Sequence, residues 1–371
     1  MELLFILIVI AYCMIIIKFS NSIYYYNDIN LESDFQPNVS IIVSARNEEK
    51  NIGNLIDSLL KQDYDSSKIE ILIANDRSSD NTEKILNVYS KQNINIKLLN
   101  ISETPFGWAN KKWALNQLID LSKSDIILQI DADCIPTKLW VKTMINYFYN
   151  DRVGFVAGCS PLIHKDKFLN NLFQMESLVQ EAVNAGAILN NMVLSCTGRN
   201  IAFRKKYFDL IEGYVGNEHI PSGDDDLLLQ KMAIETDCII RYSINKNSLV
   251  DSYAPYKFSD FINQRLRFAS KAFLYYKIKT TFELKAISIL IYLTNMIFLI
   301  SALLVLNFNS YLFLAPIILK MSADLLFSFI FMLKVKRNWS FKSYLILTAV
   351  YPIYVILFGA LGPLIKVDWK K

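Results

Sequence analysis

A chain of 371 residues is long enough for one large domain with additions or for two, and a net charge of +4 is too mild to argue for nucleic acid. Its residues are 53% hydrophobic and its mean hydropathy is positive, high for a wholly soluble protein. The five cysteines are scattered without a Cys-x-x-Cys and the histidines are only His164 and His219, which fits reduced thiols in a cytosol-facing domain better than a disulfide framework or a zinc site.

Leu3 to Ile17 is almost unbroken apolar sequence followed by Lys18. It lacks the basic n-region and small-residue cleavage site of a secretory signal, so 1–26 reads as a membrane anchor with Lys18 on the cytoplasmic side. After a polar linker, Asn27 to Pro37, the pattern alternates. Val39–Val43 reads as a strand, Glu48–Lys61 as a helix and Ile69–Ala74 as a second strand ending at Asn75-Asp76. The cap-forming run Ser78-Ser79-Asp80-Asn81-Thr82 opens another helix. Ile94–Leu99 is a third strand, Lys111–Leu121 a helix, and Asp125–Ile130 a short β-branched strand that ends in Asp131-Ala132-Asp133. Strands alternating with helices of this length imply an α/β fold with a mostly parallel sheet.

Two carboxylates one residue apart at a strand end can converge on one hard divalent cation, and the carboxyl ends of such strands are where ligands bind. The plainer reading is an acidic turn leaving the core. Asp76 has the place of a ribose- or base-binding carboxylate, or else of a helix cap. No Gly-x-Gly-x-x-Gly or Gly-Lys-Ser/Thr loop is present, so a nucleotide here would need its diphosphate met by a cation and by lysines such as Lys111 and Lys112. Taken alone, those lysines also suit a solvated helix start.

From Val153 the pattern changes. A strand at Val153–Cys159 and a long helix around Phe168–Leu189 precede the loop Thr197-Gly198-Arg199-Asn200, and an acidic cluster, Gly223-Asp224-Asp225-Asp226, leads into a helix. Three adjacent carboxylates would raise one another's pKa, moving one toward useful basicity; the alternative is an acidic first turn favoured by the helix dipole. Phe261 to Tyr276 is amphipathic, with Ile262, Leu266, Ala269, Phe273 and Tyr276 on one stripe and Gln264, Arg267 and Lys271 opposite, as suits a membrane surface. Ala286–Leu306, Tyr311–Leu333 and Ser343–Ile365 are each long enough to span a bilayer. Lys334, Lys336, Arg337 and Lys342 mark the second connection as cytoplasmic, and Lys277–Lys285 the start of the first span. The tail Lys366–Lys371 then counts as external despite its lysines, so the last segment, with Pro352, Gly359, Gly362 and Pro363, would suit a re-entrant turn. Lys320 and Asp324, four apart within the second span, read as a pair, the alternative being that they mark a polar path.

The ordered set Ala45-Arg46-Asn47-Glu48, Asn75-Asp76-x-Ser78-x-Asp80, Gly107-Trp108-x-x-Lys111-Lys112, Asp131-x-Asp133, Gly198-x-Asn200-x-Ala202-Phe203, Gly223-Asp224-Asp225-Asp226 and Gln264-x-x-Arg267-Phe268 resembles the family 2 glycosyltransferases of GT-A fold, in particular membrane-integrated bacterial members. The resemblance runs from about Val39 to Phe268. It implies a nucleotide-diphospho-sugar transferase domain at 38–255, an N-terminal anchor, an amphipathic interface helix at 256–285 and about three spans at 286–371. By it, Ala45, Asn47, Glu48, Asp76, Lys111 and Asp131 would bind the donor. Asp131 and Asp133 would hold Mg²⁺ or Mn²⁺, Asp225 or its neighbour Asp224 would be the catalytic base, and Gln264, Arg267 and Phe268 would face the acceptor. Phe268 stands where the family pattern has Trp, which weakens a processive reading.

The expected activity is inverting transfer from a nucleotide sugar, of the UDP class, to a lipid-linked or membrane-dissolved acceptor. The expected location is the inner membrane, multi-pass, with the catalytic domain cytoplasmic and no nucleic acid partner. A processive β-glycan synthase and a membrane protein that only binds a sugar nucleotide are the rival readings.

Overall fold

The computed structural model describes residues 2–27, 35–255, 257–271, 273–308 and 311–362. The expectation for the tail Lys366–Lys371, and much of the polar linker, fall outside the described residues.

In chain order, α1 (Glu2–Tyr24) is followed by β1 (Val39–Ala45), α2 (Ile52–Leu60), β2 (Ile69–Asp76), α3 (Thr82–Gln92) and β3 (Ile96–Ile101). Then come α4 (Asn110–Leu121), β4 (Ile126–Gln129), β5 (Cys134–Pro136), α5 (Trp140–Asn146), β6 (Val153–Gly158), β7 (Leu162–Ile163) and α6 (Lys167–Leu189). The next elements are β8 (Ile201–Arg204), α7 (Lys205–Leu210), α8 (Asp226–Glu235), β9 (Ile239–Ser243) and β10 (Val250–Tyr253). The rest is helical: α9 (Phe258–Ala269), α10 (Leu274–Lys277), α11 (Phe282–Phe308), α12 (Leu314–Lys334) and α13 (Phe341–Leu361).

These elements form two compact units. One is Asn27–Pro161 with Ser195–Tyr253, and the other is Met1–Tyr26, Leu162–Leu194 and Ala254–Lys371. The long helix α6 thus belongs with the apolar helices, although in sequence it lies inside the stretch read as the soluble domain.

The first unit is built on a seven-stranded sheet of order β3-β2-β1-β4-β8-β6-β9. β1 runs parallel to both β2 and β4, with Ala45 beside Asn75 and Ile42 beside Gln129. Only β8 opposes its neighbours β4 and β6. The chain winds outward from β1 to β3 and then restarts at β4 on the other flank of β1, which makes the β1/β4 boundary a topological switch point. The alternation in β1 and β2 buries Ile41, Val43, Ile71 and Ile73 against Leu55, Ile56 and Leu59 of α2 and against Trp140, Met144 and Phe148. Each such aliphatic side chain contributes about 1.5–3 kcal/mol to holding the sheet. β5 pairs antiparallel with β10, Ser252 lying beside Cys134.

α2 begins at Ile52, not at Glu48 as its apolar spacing suggests. Asn47 adopts a left-handed φ of 55°, and the backbone of 47–49 bonds Ser78, Thr82 and Asp80 of the next loop. The first expected turn of helix is thereby spent on loop-to-loop pairing.

In the second unit, α1 packs against α12 and α6, where Gly186 lies so close to Phe19 that a Cβ would collide with it. Lys320 pairs with Asp324, which also accepts from the Tyr12 hydroxyl at 2.6 Å, so the expected pair forms. Among the described residues four helices, Glu2–Tyr24, Phe282–Leu306, Tyr311–Lys334 and Phe341–Leu361, are long and apolar enough to cross a membrane. α13 runs unbroken from Phe341 to Leu361 through Pro352, so no re-entrant break falls within it, and Pro363 of that expectation lies outside the described residues. The amphipathic segment is also two pieces, α9 and the short α10. Among the described side chains of α9 the most buried is Arg265 (3% exposed), ion-paired with Glu176 of α6, rather than the expected apolar stripe. Lys271, read as part of an open basic face, is buried.

Candidate active site

The carboxyl ends of β1, β2 and β4 lie side by side because those strands are neighbours in register. At the ends of β1 and β2, Ala45 is fully buried and Asp76 almost so. Asp76 is not an N-cap. Its Oδ1 accepts from Arg77 Nε and Nη2 at 2.9 and 2.7 Å, and Arg46 Nη1 lies 3.8 Å from its other oxygen. Asn47 Oδ1 accepts from the Ser79 N–H at 2.8 Å, and Glu48 Oε2 from Asn51 Nδ2 at 2.9 Å. The four expected donor-binding positions of this corner therefore gather in one place, braced by the 78–82 loop.

At the end of β4 a second group converges. Lys111, on the first turn of α4, places Nζ 2.8 Å from Asp131 Oδ1 and 2.8 Å from Asp224 Oδ2. A cation at a helix N-terminus is disfavoured by the macrodipole, and the two carboxylates offset that. Burial alone would lower the Lys111 pKa, but Asp131 and then Asp224 beside it hold it well above the ordinary lysine value. The solvated-lysine reading fails for both lysines. Lys112 is 1% exposed and donates to the Asn217 carbonyl at 2.7 Å, which removes it from the expected diphosphate-facing role.

Asp224 accepts a further bond from Gln129 Nε2 at 2.9 Å. Burial would raise its carboxyl, but the Lys111 charge and hydrogen bond, with Lys112 beyond, carry it below its ordinary value. The expected mutual raising within the acidic cluster is therefore corrected for Asp224: a lysine, not its acidic neighbours, sets its charge. Asp224 and Asp226 are both buried, whereas Asp225 is half-buried. Asp225 caps α8, accepting from the Asp226 N–H at 2.7 Å through Oδ1, and its Oδ2 accepts from the Gly198 N–H at 2.6 Å. The loop carrying Gly198 is held by Asn200, fully buried, whose amide donates to the Cys159 and Ser248 carbonyls and accepts from Trp140 Nε1 at 2.9 Å.

Gln264, Arg267 and Phe268 lie on α9, in the helical unit. Phe268 is 44% exposed, with the Arg267 guanidinium 5.4 Å from its ring centre. Sequence reasoning missed Gln129 and Asn217. Gln129 had a visible signal, the one amide in the apolar run Ile126–Ile130, two residues before Asp131. Asn217 had none.

Asp131 and Asp133 are both part-exposed and offer two carboxylates. Among the described residues no group of three or more His, Cys, Asp or Glu side chains could hold a metal ion. A Mg²⁺ or Mn²⁺ seeks about six oxygens, so these residues fit a cation whose remaining ligands come from a phosphate group and water.

Residues 40–211 match the family described as Glycosyl transferase family 2. The chain is 29% identical over 181 residues to a probable glycosyltransferase, YdaM, of Bacillus subtilis, covering 48% of this chain and 43% of that one. It is 35% identical over 120 residues to a beta-monoglucosyldiacylglycerol synthase of Trichormus variabilis, covering 32% of this chain and 25% of that protein. The matched stretches thus span less than half the length of these relatives. In structure the chain is similar to a mannosyltransferase from Pyrobaculum calidifontis solved in complex with GDP-Man and Mn²⁺. The TM-score is 0.61 at 14% identity, over 98% of this chain and 99% of that one.

The sheet, its switch point and the acidic strand end define a GT-A fold. The stretch 40–211 matches glycosyltransferase family 2, as the order of motifs implied.

Proposed function

We propose that this protein is a membrane-bound inverting glycosyltransferase that moves a sugar from a nucleotide sugar, of the UDP class, to a lipid-linked or membrane-dissolved acceptor. The observation that carries the reading is the convergence of Lys111, Asp131 and Asp224 at the end of β4, with Asp225 beside Asp224. Four helices able to cross a membrane favour an acceptor dissolved in it.

In this reading Ala45, Asn47, Glu48 and Asp76 hold the nucleoside, and Lys111 faces the diphosphate. Asp131 and Asp133 hold Mg²⁺ or Mn²⁺, which when bound helps to neutralise the charge on the leaving diphosphate. The acceptor oxygen bonds to the anomeric carbon from the face opposite the leaving group. The carbon–oxygen bond to the diphosphate breaks, and its electron pair stays on the phosphate oxygen. Asp225, the one member of the acidic cluster that is not buried, takes the acceptor's hydroxyl proton. Lys111 stabilises the charge that builds on the leaving group. Gln264, Arg267 and Phe268 contact the acceptor. The basic residues at Lys277–Lys285 and Lys334–Lys342 set the catalytic domain on the cytoplasmic side of the cell membrane.

The test is nucleotide release from a panel of UDP-, GDP- and other nucleotide sugars by membranes carrying the protein, beside membranes carrying Asp225→Asn. Turnover of one donor, lost in the variant, with label from that donor in the organic phase, is the expected result. An insoluble polymer would favour a synthase, and saturable nucleotide binding without turnover for any donor and acceptor would reduce the protein to a binder.

A further inference from the structure

Lys111 has two carboxylate partners, and they are not equivalent. The Asp131 side chain is 28% exposed and that of Asp224 only 7%. Asp224 is also fixed from behind. Its Oδ2 accepts from Gln129 Nε2 as well as from Lys111 Nζ, and its backbone carbonyl accepts from the buried Tyr214 hydroxyl at 3.3 Å. Gln129 is fully buried in β4, two residues before Asp131. Its amide orientation is set by charge, since reversing it would turn an oxygen toward the carboxylate. Among the described residues Asp131 has no such support: its side chain pairs with the lysine and is otherwise part-exposed.

We propose that Asp224 and Gln129 are a positioning pair for Lys111, with Asp224 the permanent anchor of the ammonium and Asp131 its exchangeable partner. This rests on the reading of the site as a donor site, and it removes Asp224 from the candidates for the base. When a cation takes Asp131, the lysine keeps Asp224 and stays at the mouth of the site, where a diphosphate can meet it. Asp224 never touches the reacting atoms. Gln129 acts one step further back, by holding the carboxylate oxygen that Lys111 uses. The chemistry so recognised is a nucleoside diphosphate, bound through its phosphates even before a cation is present.

The experiment is equilibrium binding of UDP and of GDP to the full-length protein in detergent, with EDTA and with Mn²⁺, together with steady-state kinetics on the donor found active. The variants are Asp224→Asn, Gln129→Met and Asp225→Asn, each checked for folding by thermal unfolding. Asp224→Asn should weaken diphosphate binding in EDTA by about tenfold or more, the cost of a charge-assisted contact. Gln129→Met should do so to a smaller degree, and in both the donor KM should rise more than kcat falls. Asp225→Asn should lower kcat and leave the binding constants near wild type. Folded Asp224→Asn and Gln129→Met proteins that bind the diphosphate like wild type would overturn the proposal. So would a loss of kcat in Asp224→Asn with KM and binding unchanged, because Asp224 would then act as the base. If the wild type binds neither nucleotide under either condition, the donor-site reading itself fails.

Discussion

The Gly198 N–H donates to Asp225 Oδ2 across 2.6 Å, so the loop ahead of β8 is tied to the residue that caps α8. Asp225 thus has a structural task that would exist without any chemistry. The two roles separate by substitution. Asn still caps a helix, but it turns an N–H₂ group toward the Gly198 N–H, which should cost about 1 kcal/mol of stability. The loss of a general base should lower turnover by about 100-fold or more. Thermal unfolding and nucleotide release on Asp225→Asn decide between them: a small shift in Tm with turnover retained would leave Asp225 as a cap alone.

Two carboxylates from one short turn, Asp131 and Asp133, are the charged side chains expected at the cation site. EDTA should therefore abolish turnover, and Mn²⁺ or Mg²⁺ should restore it. Asp133→Ala should raise the cation concentration for half-maximal turnover by about tenfold or more, the scale of one charged contact. Turnover indifferent to EDTA and to this substitution would remove the metal from the site.

The strands were legible because buried parallel strands are near-continuous apolar runs, and Asp76 and Asp131 could be placed at their ends for the same reason. What escaped depended on partners far away in the chain. Lys111 and Lys112 look like a solvated helix start until Asp224 and Asn217 arrive; the second of these lies 105 residues on. Arg265 sits unremarked between Gln264 and Arg267, and the Glu176 that buries it is 89 residues distant. A helical stripe indicates which residues share a face, not which face another helix will cover. The start of α2 was misread for a local reason, since apolar spacing carries no record of the left-handed turn at Asn47.

Glu70 gives the sheet a pH-sensitive clasp. Its carboxylate accepts from the Ser40 hydroxyl on β1, from the Lys123 N–H before β4, and from Lys97 on β3. Burial pushes its pKa up, but the Ser40 hydroxyl, the Lys123 N–H and Lys97 together bring it below the ordinary glutamate value. A depressed folded-state pKa means stability that is present above the unfolded pKa, near 4.3, and lost as pH falls through the folded value. Glu70→Gln should therefore cost about 1–2 kcal/mol at pH 7, with the gap to wild type closing below about pH 4. Chemical unfolding at pH 7 and pH 3.5 measures it. A gap of constant size would show that the hydrogen bonds, not the charge, supply the stabilisation.

Lys320 and Asp324 pair within α12, and Asp324 also accepts from Tyr12 of α1. Asp324→Leu leaves the buried Lys320 without its carboxylate and should lower stability in detergent by about 3 kcal/mol or more, whereas Lys320→Met leaves a part-exposed Asp324 that keeps the Tyr12 hydroxyl and should cost less. Removing both charges, with Tyr12→Phe to spare the orphaned hydroxyl, should recover most of that loss, because apolar residues of similar volume suit this environment. Thermal unfolding of the singles and of the combined variant gives the coupling directly. The same proteins also distinguish a structural pair from a polar path. A combined variant that is stable and turns over normally assigns the pair to helix packing. One that is stable but inactive places Lys320 and Asp324 on the route of a substrate or proton.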